Sequence, residues 1–236
     1  YFVIEFDKDF DFTSTYLGTA IAPDKDADNI SQHSGLKAEG FHALAMVGFK
    51  TKRGEKVHAR VASSYISPEQ AALNLQREVG NTTFDAVKEE GHRIWNEMLG
   101  RIAIDREAVE HKTAEARTFY SCLYRSLLFP MKYWEEDAQG RIVHRSPHNG
   151  QVCEGYLYTG TGFWDTFRCL FPLLNLVYPD ESAKMMEGFV NVYRESGFFP
   201  EWSSPGHRGC MVGNNSAAVM ADAFMKGIRV KDTETM

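Results

Sequence analysis

Apolar positions along this chain change their period once. In the first third they form short runs: Ala43-Leu44-Ala45-Met46-Val47-Gly48-Phe49, a polar turn at Lys52-Arg53-Gly54-Glu55, then Val57-His58-Ala59-Arg60-Val61. The pair predicts a β-hairpin with a four- or five-residue loop, and its alternation predicts an antiparallel sandwich with one face on a core and one wet. Tyr1-Phe2-Val3-Ile4-Glu5-Phe6 reads as a further strand. The change falls at Ser67-Pro68-Glu69-Gln70, where Ser suits an N-cap, Pro the first helical position and Gln the third position of a capping box. Beyond it the 3.6-residue period takes over, with Phe84, Val87, Gly91, Ile94 and Met98 on one stripe and Phe119, Leu123 and Leu127 on another. Further helices are predicted over 164–174, over 182–195 with Gly197 closing it, and over 216–226 with Gly227 after it. Strands first and helices after make an α+β chain of two domains joined by a helical linker.

Composition narrows the function. A net charge of -6 arises from interspersed acidic and basic residues, which argues against nucleic acid and against a polybasic membrane surface. A neutral polar ligand fits better. No stretch approaches the roughly 20 continuous apolar residues of a membrane helix. The first residues lack a signal peptide's basic start, and 231–236 carry no closing cap, so the chain is expected to begin and end inside a larger polypeptide. Cys122, Cys153, Cys169 and Cys210 show no CxxC pair, which argues against a zinc ribbon and leaves free thiols and two disulfides both open.

Three stretches carry candidate chemistry. In Gly160-Thr161-Gly162-Phe163-Trp164-Asp165-Thr166-Phe167-Arg168 a carboxylate and a guanidinium stand three residues apart beside an indole. Asp165 accepting from vicinal hydroxyls, Arg168 donating to another and Trp164 against a sugar's C–H face would form a monosaccharide pocket. A helix start, with Asp165 on the macrodipole and Arg168 on a surface carboxylate, explains the same residues. The loop Phe198-Phe199-Pro200-Glu201-Trp202-Ser203-Ser204-Pro205-Gly206-His207-Arg208 spends more aromatics than a solvent loop needs, pointing to Glu201 and Trp202 as sugar contacts and to His207 as merely solvated. Gly213-Asn214-Asn215-Ser216 opens the last helix, and one Asn is spare beyond capping. Asp222, in an apolar helical segment, is expected to pair with a buried Arg or to cap a neighbour. His144 and His148 have the spacing of two ligands, but Pro147 and Arg145 spoil a helical face, and no metal is assigned to them.

Phe163-Trp164-Asp165-Thr166-Phe167-Arg168, Phe199-Pro200-Glu201-Trp202, Met211-Val212-Gly213-Asn214-Asn215-Ser216 and Val219-Met220-Ala221-Asp222-Ala223-Phe224-Met225-Lys226-Gly227 together resemble, in order and spacing, glycoside hydrolase family 92. Trp95-Asn96-Glu97-Met98-Leu99-Gly100-Arg101-Ile102 looks like the linker helix of that family. The resemblance implies that 1–67 is the C-terminal part of a β-sandwich, 68–100 the helical linker and 101–236 the first part of an (α/α)6 barrel. It implies exo-acting, inverting, calcium-dependent hydrolysis of terminal α-mannose from glycans, in a secreted, periplasmic or cell-surface enzyme. Asp165 is then the leading hydroxyl-binding group, Trp164 and Arg168 shape its side, Glu201 and Trp202 lie opposite, and Asn215 is a further substrate contact, in an Asn214-Asn215 segment where the family often has His. The Gly-Asn-Glu-Pro-like acid and Gly-Asn-Asp-like base motifs do not occur in this sequence, so the catalytic pair and the calcium ligands are expected from the remainder of the same polypeptide. Another (α/α)6 glycosidase of trehalase or α-glucosidase type, and a non-catalytic carbohydrate-binding protein, remain the alternatives.

Overall fold

In the computed structural model, which describes residues 1–18, 30–33, 36–40, 42–105, 107 and 110–231, the chain divides into two compact units, Ile4–Val61 and Tyr1–Val3 with Ala62–Met236. The expectation for the closing residues after 231 lies outside the described residues.

In the first unit β2 (Phe12–Gly18) is central, flanked by β3 (Ile30–His33) and β4 (His42–Gly48) in antiparallel register, with Phe12 opposite Gly48 and Tyr16 opposite Leu44. Any Cβ at position 48 would enter the Phe12 ring, so glycine is required there for space. β1 (Phe2–Phe6) pairs with β5 (Ala59–Ser63). The predicted hairpin therefore does not form: β4 turns to β2, and β5 turns to β1. Polar tethers explain the exchange. Lys8 Nζ meets Glu55 Oε1 at 2.6 Å, His58 Nδ1 meets Asp7 Oδ2 at 2.6 Å, and the Lys50 amide donates to Asp11, which draws 50–58 to 7–11. β4 is exposed from His42 to Met46, so its apolar run is uncovered.

The second unit begins with α1 (Pro68–Glu78), where Ser67 Oγ accepts from the Gln70 amide at 3.1 Å. Only half of the capping box forms. The Gln70 side chain donates instead to Asn74 Oδ1 and to the Glu136 carbonyl, and Asn74 passes the chain of bonds on to Ser63 O and Glu135 Oε2. α2 (Phe84–Leu99) and α3 (Thr113–Ser126) follow, touching through Trp95 and Tyr124 at 4.5 Å.

Between α3 and the next helix lie six short strands that the apolar period does not announce. They are β6 (Met131–Lys132), β7 (Glu135–Glu136), β8 (Ile142–Arg145), β9 (Val152–Glu154), β10 (Tyr158–Thr159) and β11 (Thr161–Gly162). Strands of two to four residues are too short to show alternation; only the turn glycines, Gly140, Gly150, Gly155 and Gly160, all at positive φ, mark them.

The predicted helix 164–174 is two: α4 (Phe163–Thr166) and α5 (Leu170–Val177). Thr166 Oγ1 donates back to Gly162 O at 2.8 Å, and Pro172 needs the first turn of a new helix, where its missing N–H costs nothing. α6 (Pro179–Ser196) ends on Gly197 in the left-handed conformation at φ 84°, and α7 (Asn215–Met225) closes the unit. The core joins these helices: Phe163 stacks on Phe171 at 5.6 Å and meets Phe189 edge-on at 5.0 Å, with Met186, Val219 and Met220 filling the remainder.

Candidate functional site

A two-stranded pairing positions the candidate residues. β11 runs antiparallel to β12 (Trp202–Ser203), with Thr161 opposite Ser203 and Gly162 opposite Trp202. The Phe163 amide donates to Glu201 O at 3.2 Å, which extends the pairing into the start of α4. The two motifs, nearly 40 residues apart in sequence, thus share one ridge.

Gly162 is the pivot of that ridge. A Cβ built on it would run into the Trp202 indole Nε1 and would lie 2.8 Å from Asp165 Oδ2. The indole edge and the carboxylate therefore both crowd the space where a Cβ would stand, and the structure brings Asp165 and Trp202 together. Glu201 contributes something different: its Oε2 is buried without a hydrogen-bond partner. A buried acceptor in that condition is costly unless a donor meets it, and a ligand hydroxyl is one such donor.

Trp164 stands 44 % exposed, and the Arg168 guanidinium lies 5.8 Å from its ring and 4.5 Å from that of Phe167. With α4 ending at Thr166, Arg168 is not one turn along the same helix from Asp165. It is held by aromatic faces instead. Asn215 is engaged locally, donating Nδ2 to Val212 O at 3.0 Å under the sharp turn at Gly213. Among the described residues Asp222 pairs with no arginine: its Oδ2 accepts from Asn175 Nδ2 at 3.0 Å and Lys226 Nζ at 2.7 Å, which ties α7 to α5. His207 is not merely solvated but bonds Ser196 Oγ at 2.8 Å.

Beside Trp202 opens a cavity of about 460 Å³, walled by Tyr65, Phe129, Met131, Tyr133 and Trp202. Tyr65 and Tyr133 lie 4.2 Å apart in it, and burial together with the neighbouring Tyr65 pushes the Tyr133 hydroxyl above its usual pKa. Composition alone does not single out Tyr65, Phe129 and Tyr133; each is an ordinary aromatic until the short strands gather them beside the ridge.

A second polar group lies apart from this ridge. His144 on β8 is buried, with Nδ1 2.8 Å from Gly155 O and Nε2 2.8 Å from Glu195 Oε1. Burial raises the Glu195 carboxyl, but the bond to His144, the Ser146 hydroxyl and the charges of His144 and His148 outweigh it and leave the group below its usual range.

A half-open aromatic cavity beside a few convergent polar groups has the form of a small-molecule site. Comparison with known proteins makes this specific. Residues 70–236 match the glycosyl hydrolase family 92 catalytic domain, and the chain belongs to that family. Among solved structures, an inverting family GH92 mannosidase of Bacteroides thetaiotaomicron is 41% identical, with a TM-score of 0.82 over 99% of this chain and 30% of that one. A second α-mannosidase of the same organism, solved in complex with mannoimidazole, is 25% identical, with a TM-score of 0.78 over 99% of this chain and 30% of its own. An uncharacterized secreted glycosidase of Arthroderma benhamiae is 26% identical over 176 residues, 73% of this chain and 18% of the relative. The chain thus spans less than a third of each of these proteins.

Proposed function

We propose that this chain supplies one wall of the mannose pocket of an inverting, calcium-dependent exo-α-mannosidase that trims terminal α-linked mannose from glycans outside the cytoplasm. The observation that carries the reading is the convergence of Asp165 and Trp202 on Gly162, with the unpartnered Oε2 of Glu201 on the residue just before β12. Asp165 accepts from vicinal hydroxyls, Glu201 from another, and the Trp202 and Trp164 faces pack on sugar C–H groups while Arg168, held by Phe167 and Trp164, donates from the rim. The solved relatives named as mannosidases support mannose over glucose as the sugar. The family arrangement accompanies this reading: 1–67 as the end of a β-sandwich, 68–100 as linker and 101–236 as the first part of an (α/α)6 barrel.

Inversion requires an acid and a base about 6.5–9.5 Å apart with water between them, and the remainder of the polypeptide supplies both in this reading. The same holds for calcium. Among the described residues the one cluster able to hold a metal offers a nitrogen and a sulfur, which suit a hard, oxygen-seeking ion poorly.

The test is Asp165→Ala in the complete enzyme, assayed on aryl α-mannosides and α-glucosides. Loss of a charged partner to a sugar hydroxyl should cost about 1.5–3 kcal/mol, or roughly 10- to 150-fold in kcat/KM on mannosides. Unchanged turnover, or a wild type that prefers glucosides, would remove the assignment.

A further inference from the structure

We propose that His144, Cys153 and Glu195 form a binding site for a zinc-like divalent metal, separate from the sugar ridge. Three elements converge to make it. His144 and Cys153 are directly opposed in the β8–β9 ladder, so their side chains leave the same face of the sheet. Glu195 comes down on that face from the last turn of α6. One ligand atom of each residue lies within 4.8 Å of those of the others. A tetrahedral ion with bonds of about 2.0–2.3 Å spaces its ligands roughly 3.3–3.8 Å apart, so small side-chain shifts suffice.

The surroundings are those of a ligand set. His144 is fully buried at its side chain, and Nδ1 is fixed by the Gly155 carbonyl, which leaves Nε2 as the coordinating atom. A backbone carbonyl on the far nitrogen is the usual outer partner of a metal-bound imidazole. Gly155 sits at φ 104°, and a Cβ there would lie 2.6 Å from Asn191 Nδ2, so the turn that presents this carbonyl needs glycine.

A second observation is independent of that spacing. Glu195 is nine-tenths buried, yet no hydrogen bond closes on its Oε2; the Ser146 hydroxyl, which accepts from the His148 and Asn149 amides, is near enough to lower the carboxyl but not bonded to that oxygen. The Nε2 of His148 is likewise buried and unpartnered. A proton shared between His144 and Glu195 satisfies Oε1 and leaves Oε2 orphaned, whereas a divalent cation can satisfy both oxygens. Imidazole, thiolate and carboxylate together suit zinc and not calcium or magnesium. Binding is balanced by release of two protons, one from Cys153 Sγ and one from between His144 Nε2 and Glu195 Oε1.

The experiment uses the full-length polypeptide, stripped with chelator and held in excess calcium so that any hard-oxygen site is filled. Titration with Co²⁺ should give one equivalent with the strong visible bands of a four-coordinate ion and a thiolate-to-cobalt charge-transfer band, both bleached by Zn²⁺. Cys153→Ser, checked for folding by circular dichroism, should abolish the charge-transfer band and weaken Zn²⁺ at least about tenfold. In the unmutated protein, Zn²⁺ should slow alkylation of Cys153 and not of the exposed Cys122, Cys169 and Cys210. That readout stands even where the variant does not fold. A weak six-coordinate spectrum, a charge-transfer band retained in the variant, or unprotected Cys153 would each overturn the site.

Discussion

Gly162 shows how much a single missing carbon decides. Its φ of -101° is open to any residue, so the requirement is for space and not for backbone freedom. Gly162→Ala would push the Trp202 indole and the Asp165 carboxylate apart, and both belong to the proposed mannose wall. The expected result in the complete enzyme is a fall in kcat/KM on mannosides of at least about tenfold, roughly 1.4 kcal/mol of transition-state stabilisation. A displaced wall should lose activity while most of the thermal stability is retained; full activity in the variant would separate Gly162 from the site. Glu201 offers a complementary reading at the same scale. Because its Oε2 is already buried and unbonded, Glu201→Gln should stabilise the unliganded protein or leave it unchanged while weakening mannoside binding. Differential scanning calorimetry with and without a mannose-like inhibitor would reveal both signs.

At the scale of elements, helix ends and caps were legible in the sequence where one residue does one job. Ser67 caps α1, and Gly197 ends α6 in the left-handed conformation that glycine adopts without strain; Thr83, which caps α2 by accepting from the Ala86 amide, was not singled out. Ser67→Ala should therefore cost about 0.5–2 kcal/mol in urea unfolding of the domain. Pairing was not legible. Residues 43–61 read as a hairpin because the alternation is local, whereas the contacts that send β4 to β2 and β5 to β1 are set by Asp7, Lys8 and Asp11 about 40 to 50 residues away. The β6–β11 ladders escaped for the opposite reason, being too short to carry a period. His144 suffered from the same blindness: its spacing to His148 fails on a helix, but on a strand its true partner is Cys153 across the ladder. Asp165, Glu201 and Trp202 could be singled out as candidates because aromatic and charged residues are rare together in loops, while their convergence at Gly162 and the cavity wall of Tyr65, Phe129 and Tyr133 required the fold.

α6 also carries a pH-dependent tether. Arg101 meets Asp180 in its first turn at 2.7 Å and lies 5.1 Å from the Tyr178 ring, while the Tyr178 hydroxyl donates to Met98 O. The Arg101 hydrogen bonds, first among the causes, hold the Asp180 carboxyl down at about 2. A carboxylate whose folded pKa is depressed contributes stability above its unfolded value, near 3.9, and loses it as pH falls toward 2. Asp180 is half exposed, so solvent screening limits the effect to below about 1 kcal/mol. Asp180→Asn should be less stable than the parent near neutrality, and the gap should close between roughly pH 4 and pH 2. A gap that persists at the acid end would mean that Asp180 acts by packing or capping and not by charge.

The whole molecule poses a problem of coverage. Phe84 is 71 % exposed, α2 buries none of its residues, and Leu44, Met46 and Leu128 also stand in solvent. A helix with an apolar stripe and a strand with an apolar face gain little from folding unless something covers them, because burial of such side chains is worth about 25 cal/mol per Å². The buried cluster around Phe163, Phe189 and Met220 is built mainly by α4–α7 with Tyr158 of β10 and Ile228, and α2 reaches it through Met98 near its C-terminal end. The chain spans 30% of each of the two solved mannosidases compared above, which gives the uncovered faces a natural partner in the rest of such a polypeptide. Expressed by itself, residues 1–236 should therefore bind a hydrophobic dye such as ANS and melt without a sharp cooperative transition, whereas the complete protein should do neither. Hydrogen exchange would show where the division falls. If the coverage argument holds, amides of α5–α7 stay protected in the isolated chain and those of α2 and β4 exchange freely; a monomer with a sharp melt and uniform protection would show that the exposed stripes need no partner.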